Sequence, residues 1–305
     1  IRSVLLAPLA ASGLVVEQVA ALYTANYFAQ FDQVPMYPSG GMGEIPKAIA
    51  QVGWEKGVQT QTNAEVERVL ISDGKVTGIQ VNGEHCAADA VVIASDYQQA
   101  EQQLLPSGWR SVLPTYWQNS IQSKTVYTIL LGLKEKIAGL GHHTYYVRTN
   151  QQTSPPEQGW VSHPDFYCTI TSQTDWQAAP KGGEALRLSV VLDQSLTDTH
   201  TMRQKYFNHL LDHFETVMRV KIRDKIVYQR VFSHQQYLSE WGNAQASALG
   251  LLPTPSQLLW RRPPARSAKV GGLYYVGQTI DPGPGMAQVM AGAARVSQQV
   301  SNDVQ

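Results

Sequence analysis

Residues 271–286 read Gly-Gly-Leu-Tyr-Tyr-Val-Gly-Gln-Thr-Ile-Asp-Pro-Gly-Pro-Gly-Met, and the reading of this stretch decides the fold. Leu273 to Val276 is a short apolar and aromatic run that predicts a buried strand ending at Gly277. Residues 281–285 carry two prolines and two glycines, which cannot continue a strand and therefore form a tight turn. Beyond it, Met286, Val289, Met290, Ala293, Ala294 and Val296 recur at helical spacing, and Ala287, Ala291 and Gly292 add small residues for close packing. The unit is strand, turn, helix. Such a turn offers backbone N–H groups at a helix N-terminus, where an anion or the polar edge of a ligand is favoured. An ordinary β–α connection has the same pattern.

A second glycine-rich turn lies upstream, in Tyr37-Pro-Ser-Gly-Gly-Met-Gly-Glu-Ile-Pro46. Pro46 suits the first turn of a helix that runs through Ala48, Ile49 and Val52 to Gly53. Together the two stretches resemble the bacterial-type phytoene desaturases, FAD-dependent carotenoid oxidoreductases with a flavin amine oxidase-like fold. The resemblance implies that the last strand and helix return to the dinucleotide-binding domain beside the isoalloxazine ring. It implies cofactor contacts at Gly40, Gly41, Met42, Gly277, Asp281, Gly283, Gly285 and Met286, with both turns lining one pocket.

Between the turns, Gly57 to Thr62 and Ala64 to Ile71 read as strands. Asp73-Gly74 and Asn82-Gly83 sit between alternating runs and predict hairpins, and Val91 to Ala94 is apolar on both faces like a central parallel strand. This succession resembles the second FAD-contacting segment of the same fold. The likeness implies that Glu65 and Val66 meet the adenine and that Ala94 and Ser95 pass near the cofactor. The expected fold class is mixed α/β, an incomplete Rossmann-like FAD-binding domain with an inserted mixed-sheet and helical substrate domain.

From about Tyr97 the pattern changes. A helix ending before Pro106 precedes strands at 126–133, 142–147, 166–171 and 185–192, separated by polar loops such as Gln151 to Gly159. Strands without intervening helices imply an antiparallel or mixed sheet. Tyr206, Phe207, Leu210, Leu211, Phe214 and Val217 form one helical stripe, and 226–232 is a further strand. Residues 4–30 predict two helices broken near Ser12-Gly13, either a core pair or the wall of an apolar substrate tunnel or a surface resting on membrane. The expected domains are a helical part of the substrate domain at 1–34, an FAD-binding segment at 35–97, the substrate domain at 98–265 and a second FAD-binding segment at 266–305.

Net charge is zero and 16% of residues are charged, which gives no footing for a nucleic-acid surface. Cys86 and Cys168 form no paired motif, consistent with a reducing compartment, and no apolar run reaches the roughly 18 residues that span a bilayer. His142 and His143 invite a metal reading, but neighbours on a strand point to opposite faces and no partner stands at ligand spacing, so no metal is expected. Gly-x-Ser-x-Gly is absent. Asp175 matches a family loop or is a turn residue. Arg262, in an aromatic-Arg-Pro element resembling the family's, could face a flavin or form a structural ion pair. Asp281, where the family often has His or Asn, could accept a proton or cap the following helix. Arg262 and Asp281 are the candidate catalytic residues.

The resemblance implies a flavoenzyme that dehydrogenates a carotenoid or similar apolar polyene and passes electrons to oxygen or a quinone. It implies a cytoplasmic protein in peripheral contact with membrane, where such a substrate dissolves. Carotenoid isomerase, ketolase and retinoid saturase share these loops, and a non-catalytic module binding an apolar ligand is the reading from another class. A Gly-x-Gly-x-x-Gly turn with an acidic residue about 20 positions later is absent, so the likeness corresponds to roughly the C-terminal two-thirds of a family member. The chain is accordingly expected to be a fragment, inactive by itself and weak in binding FAD.

Overall fold

The computed structural model describes residues 2–29, 36–148, 160–243 and 245–304; the expected loop at 151–159 lies outside them. In chain order the elements are α1 (Arg2–Ala11), α2 (Ala21–Ala29), α3 (Glu44–Glu55), β1 (Val66–Ser72), β2 (Lys75–Val81), β3 (Glu84–Ala87), β4 (Val91–Ile93), α4 (Tyr97–Leu104) and α5 (Pro114–Asn119). There follow β5 (Thr125–Leu133), β6 (His143–Tyr146), β7 (Phe166–Ile170), β8 (Glu184–Leu192), α6 (His200–Met218), β9 (Ile226–Phe232), α7 (His234–Ser239), β10 (Leu273–Tyr275) and α8 (Met286–Val304). Residues 57–62 form no strand: four of the six are Gln or Thr, and all six are exposed. Contacts divide the chain into two interleaved units, 1–16 with 27–59 and 124–237, and 17–26 with 60–123 and 238–305. Residues 35–59 thus group with the larger sheet and 98–123 with the parallel strands, a division that the change of pattern at Tyr97 does not mark.

The first unit is built on a five-stranded sheet in the order β6-β7-β8-β5-β9. All four pairings are antiparallel, so the sheet is not mixed. One face carries Tyr127, Ile129 and Leu131 of β5, Leu186, Leu188 and Val190 of β8, and Phe166, Cys168 and Ile170 of β7. These pack with the stripe Phe207, Leu210, Leu211 and Phe214 of α6. Each such side chain, fully buried, contributes about 1.5–3 kcal/mol relative to exposure. α6 starts where Thr199 accepts a hydrogen bond from the Met202 amide and stops at Arg219 in the left-handed region. The opposite sheet face alternates to polar and aromatic residues: Thr128 and Ser189, whose hydroxyls are 3.0 Å apart, with Arg187, Tyr167, Thr169, His143 and Tyr145.

The second unit holds the meander β1-β2-β3 and the parallel pair β10-β4. Asp73, Gly74, Asn82 and Gly83 all have positive φ, as two-residue hairpin turns require. β10 pairs with β4 in register Leu273↔Val91 to Tyr275↔Ile93, which bears out the parallel strand expected at 91–94. Tyr275 stacks on Tyr97 at 4.0 Å and donates its hydroxyl to Glu101 at 2.9 Å. Glu101, buried on α4, also accepts from the amides of Ser111 at 2.7 Å and Val112 at 3.1 Å. One carboxylate therefore ties a helix, an irregular segment and a strand. Among the described residues no helix is long and apolar enough to cross a membrane.

Candidate functional site

In the second unit β4 and β10 run in the same direction, so Ala94-Ser95 and Val276-Gly277 emerge side by side at one carboxyl edge. The Val276 amide still donates to the Ile93 carbonyl at 2.9 Å; the pairing ends there. Each strand then feeds a helix. Asp96 caps α4 by accepting from the Gln99 amide, and α8 begins after the Asp281 to Gly285 turn. Two helix N-termini thus follow the same edge, the place where open parallel sheets receive ligands. The first-turn amides of α8 have no acceptor within the helix. Gly277, Gly283 and Gly285 have φ of 118°, 106° and 115°, a conformation that side chains resist. A Cβ on Gly277 would meet nothing within 4 Å, and Met286 is 53% exposed, so space lies before the turn. The parallel bridge between Lys75 and Gly271 sends β2 along β10, which carries Val81 and its partner Val66 toward the carboxyl end. These features fit a flavin's polar edge.

The turn is held from behind. Arg262, 4% exposed, donates to the carbonyls of Thr279 (3.0 Å), Gln278 (2.8 Å), Gln257 (2.9 Å) and Leu251 (3.5 Å). Its guanidinium lies against Gly283, where a Cβ would sit 3.5 Å from Cζ. Burial lowers its pKa to about 10, with Tyr116, Asp281 and Tyr23 pulling the other way, and it stays charged at neutral pH. The Tyr23 hydroxyl donates to the Pro284 carbonyl at 3.1 Å. Asp281 pairs with Arg295 of α8 at 2.7 Å, while its Oδ1 is buried without a hydrogen-bond partner. Gly292 admits Pro282 and the Asp281 carbonyl against α8. Of the two candidate catalytic residues, Arg262 braces the turn through backbone carbonyls and Asp281 anchors it to its own helix. A cleft of about 570 Å³ beside Arg262 has a mixed lining, apolar from Val112, Leu113, Pro263 and Pro264 and polar from Ser111, Asn119 and Gln257.

The other glycine turn belongs to the first unit. Gly40 and Gly41 have positive φ, as the sequence requires, but their amides are not turned outward to a ligand. The Gly40 amide donates to Asp175 Oδ2 at 3.0 Å and the Gly41 amide to the Pro38 carbonyl at 3.1 Å. Asp175, 5% exposed, also accepts from the Gln177 amide at 3.0 Å, so it is a turn residue that reaches 135 positions back along the chain. Met42 is exposed, and Glu65 is exposed just before β1. The structure therefore brings together Ala94, Ser95 and Gly277 at one edge, with Gly283, Gly285 and Met286 following in the braced turn. Tyr23, Arg295 and the second role of Asp175 escape sequence reasoning; no local spacing marks them.

His142 precedes β6, so the strand's alternation does not separate it from His143, and the two rings lie 4.4 Å apart. His142 meets the Thr174 hydroxyl, and His143 Nδ1 lies 2.6 Å from the Tyr167 hydroxyl. Among the described residues no group of three or more His, Cys, Asp or Glu could hold a metal. Cys168 is buried in the core, and burial pushes its thiol up to about 12; Cys86 is exposed on β3.

The family model of flavin-containing amine oxidoreductases matches residues 4–303. Carotenoid 3,4-desaturase of Haloarcula japonica is 29% identical over 288 residues, covering 93% of this chain and 58% of the relative. The zeta-carotene-forming phytoene desaturase of Myxococcus xanthus is 26% identical over 290 residues, covering 92% of this chain and 55% of the relative. The chain thus spans little more than half the length of these curated relatives. An oxidoreductase from Methanosarcina mazei superposes with a TM-score of 0.60 at 17% identity, over 86% of this chain and 55% of that one, a likeness of fold.

Proposed function

The chain belongs to the flavin-containing amine oxidoreductase family, and from that premise we propose that it serves an FAD-dependent dehydrogenation of a carotenoid or similar apolar polyene. The observation that carries this reading is the shared carboxyl edge of β4 and β10, where Ser95 and Gly277 stand beside each other ahead of two helix starts. The similarity to carotenoid desaturases supports the choice of substrate class. Bound flavin supplies the two-electron acceptor for hydride removal from a C–H bond. The chain's own residues seat and shape. Gly277 leaves room at the strand end, the α8 first turn presents donors, and Arg262 and Tyr23 fix the carbonyls of the intervening turn. Fixed donors of this kind need no rearrangement when charge develops on a neighbouring group. The polar-aromatic face of the five-stranded sheet is the substrate side, since its other face is filled by α6. The exposed Ile49, Val52 and Trp54 of α3 suit peripheral contact with a lipid surface, from which such a substrate is drawn.

Titration with FAD, followed by flavin fluorescence, tests the site. Weak, saturable quenching is expected, because no Gly-x-Gly-x-x-Gly pyrophosphate turn is present in the 305 residues. Gly277→Val abolishes it, since φ of 118° and the lost space both oppose a branched side chain. A folded Gly277→Val protein that quenches like wild type would sink the assignment. Products formed from phytoene, lycopene and retinol by the product of the full-length gene, with absorbance reporting added double bonds, separate desaturation from isomerisation or saturation.

A further inference from the structure

Helix α8 turns one stripe of its surface inward: Gln288, Gly292 and Val296 are buried, while Met286, Ala287 and Met290 beside them are exposed. Near the far end of the helix Asp303 accepts from the Tyr274 hydroxyl of β10, and Gly292 lies against Pro282 and the side chain of Ile280. The helix therefore runs back along β10, and Gln288 is its inward position nearest the carboxyl edge of the parallel pair. Of the three inward residues it alone carries a polar side chain.

The Val289 amide donates to the Gly285 carbonyl at 2.9 Å, so the helix opens on Gly285 and Gln288 stands in its first turn. From there the side chain folds back over the start of the helix: a Cβ on Gly285 would collide with Gln288 Oε1 and lie 3.2 Å from its Cδ. A first-turn Gln in this pose ordinarily accepts from the amide of the residue that opens the helix. Gln288 does not. Among the described residues its carboxamide has no hydrogen-bond partner, although the residue is only 8% exposed. A buried amide without a partner is destabilising, and a ligand that supplies the partner accounts for it.

The chemistry of a carboxamide selects the ligand group. It offers an acceptor and a pair of donors in one plane, and exchanging its oxygen and nitrogen leaves that set unchanged. Its complement is a planar edge on which an N–H stands beside a carbonyl. A phosphate offers acceptors only, and a hydrocarbon offers neither. We propose that Gln288 hydrogen-bonds the imide edge of the flavin ring, its N3–H together with a neighbouring carbonyl, and so fixes the ring at the start of α8. This rests on the flavin reading above and adds to it a positioning residue, which takes no part in moving the hydride.

The test titrates the 305-residue chain with FAD and with 3-methyl-FAD, in which the imide proton is replaced by a methyl group, and follows flavin fluorescence. FAD is expected to bind about tenfold more tightly, the equivalent of one net hydrogen bond. Gln288→Leu and Gln288→Met keep the bulk and remove the amide. Each should bring FAD down to the level of 3-methyl-FAD and leave 3-methyl-FAD unchanged, with far-ultraviolet circular dichroism confirming the fold. Equal binding of the two flavins by wild type overturns the proposal while the flavin reading survives. So does a variant that weakens both flavins alike, because that marks packing or a contact to the adenine. If neither flavin binds, the flavin reading fails together with this one.

Discussion

Two glycine-proline turns of similar composition, 37–46 and 277–286, are built to opposite ends. In the first, the amides of Gly40 and Gly41 are consumed within the unit by Asp175 and Pro38. In the second, side chains take the carbonyls instead: Arg262 holds those of Gln278 and Thr279, and Tyr23 holds that of Pro284. A turn whose carbonyls are tied back has its N–H side available, and a turn whose amides are tied back does not. Whether a glycine turn can cradle a ligand is therefore decided by which side chains reach it. Glycine content only makes the turn possible.

Replacing Arg262 by Met breaks the second arrangement outright. Four carbonyls lose their donor, and a destabilisation of about 4 kcal/mol is expected in urea unfolding. Arg262→Lys, with a point charge in place of a fork, should recover only about half of that. If Arg262→Met unfolds like wild type, the turn is not held as described. A smaller effect probes the first turn: Asp175→Ala removes the acceptor of two amides and should cost about 1.5 kcal/mol. Its flavin titration should be unchanged, and a loss of quenching would show that the Gly40 turn matters to the ligand after all. The smallest effect belongs to Asp281→Asn. Its partner Arg295 is 44% exposed, so below about 1 kcal/mol is expected, vanishing in about 1 M salt where screening reaches a few ångströms. Should the same substitution in the full-length gene product leave stability unchanged yet abolish dehydrogenation, Asp281 would be a proton acceptor and more than an anchor.

Much of the fold can be read from the chain because its cues are local. Asp73-Gly74 and Asn82-Gly83 fix their hairpins through their own positive φ, and the stripe from Tyr206 to Val217 needs only the helical period. Val91 to Ile93 reads as a parallel strand since it is apolar throughout, and β10 pairs with it. Where the cue is distant, reading fails. Arg262 draws its acceptors from Leu251, Gln257, Gln278 and Thr279, and no motif marks a cation that serves segments on both sides. The bond from Gly40 to Asp175 spans 135 positions. The false strand at 57–62 shows the converse: a short run exposed at every position, with no face to bury, makes no strand.

The carboxylate of Glu101 has a consequence for dynamics. The amides of Ser111 and Val112 lie in a stretch without regular secondary structure, yet their acceptor sits on α4 and is shared with Tyr275 of the parallel pair. They can exchange with solvent deuterium only when their bonds to that carboxylate open, so two positions outside regular secondary structure are expected to be protected well beyond the exposed turns of the same unit.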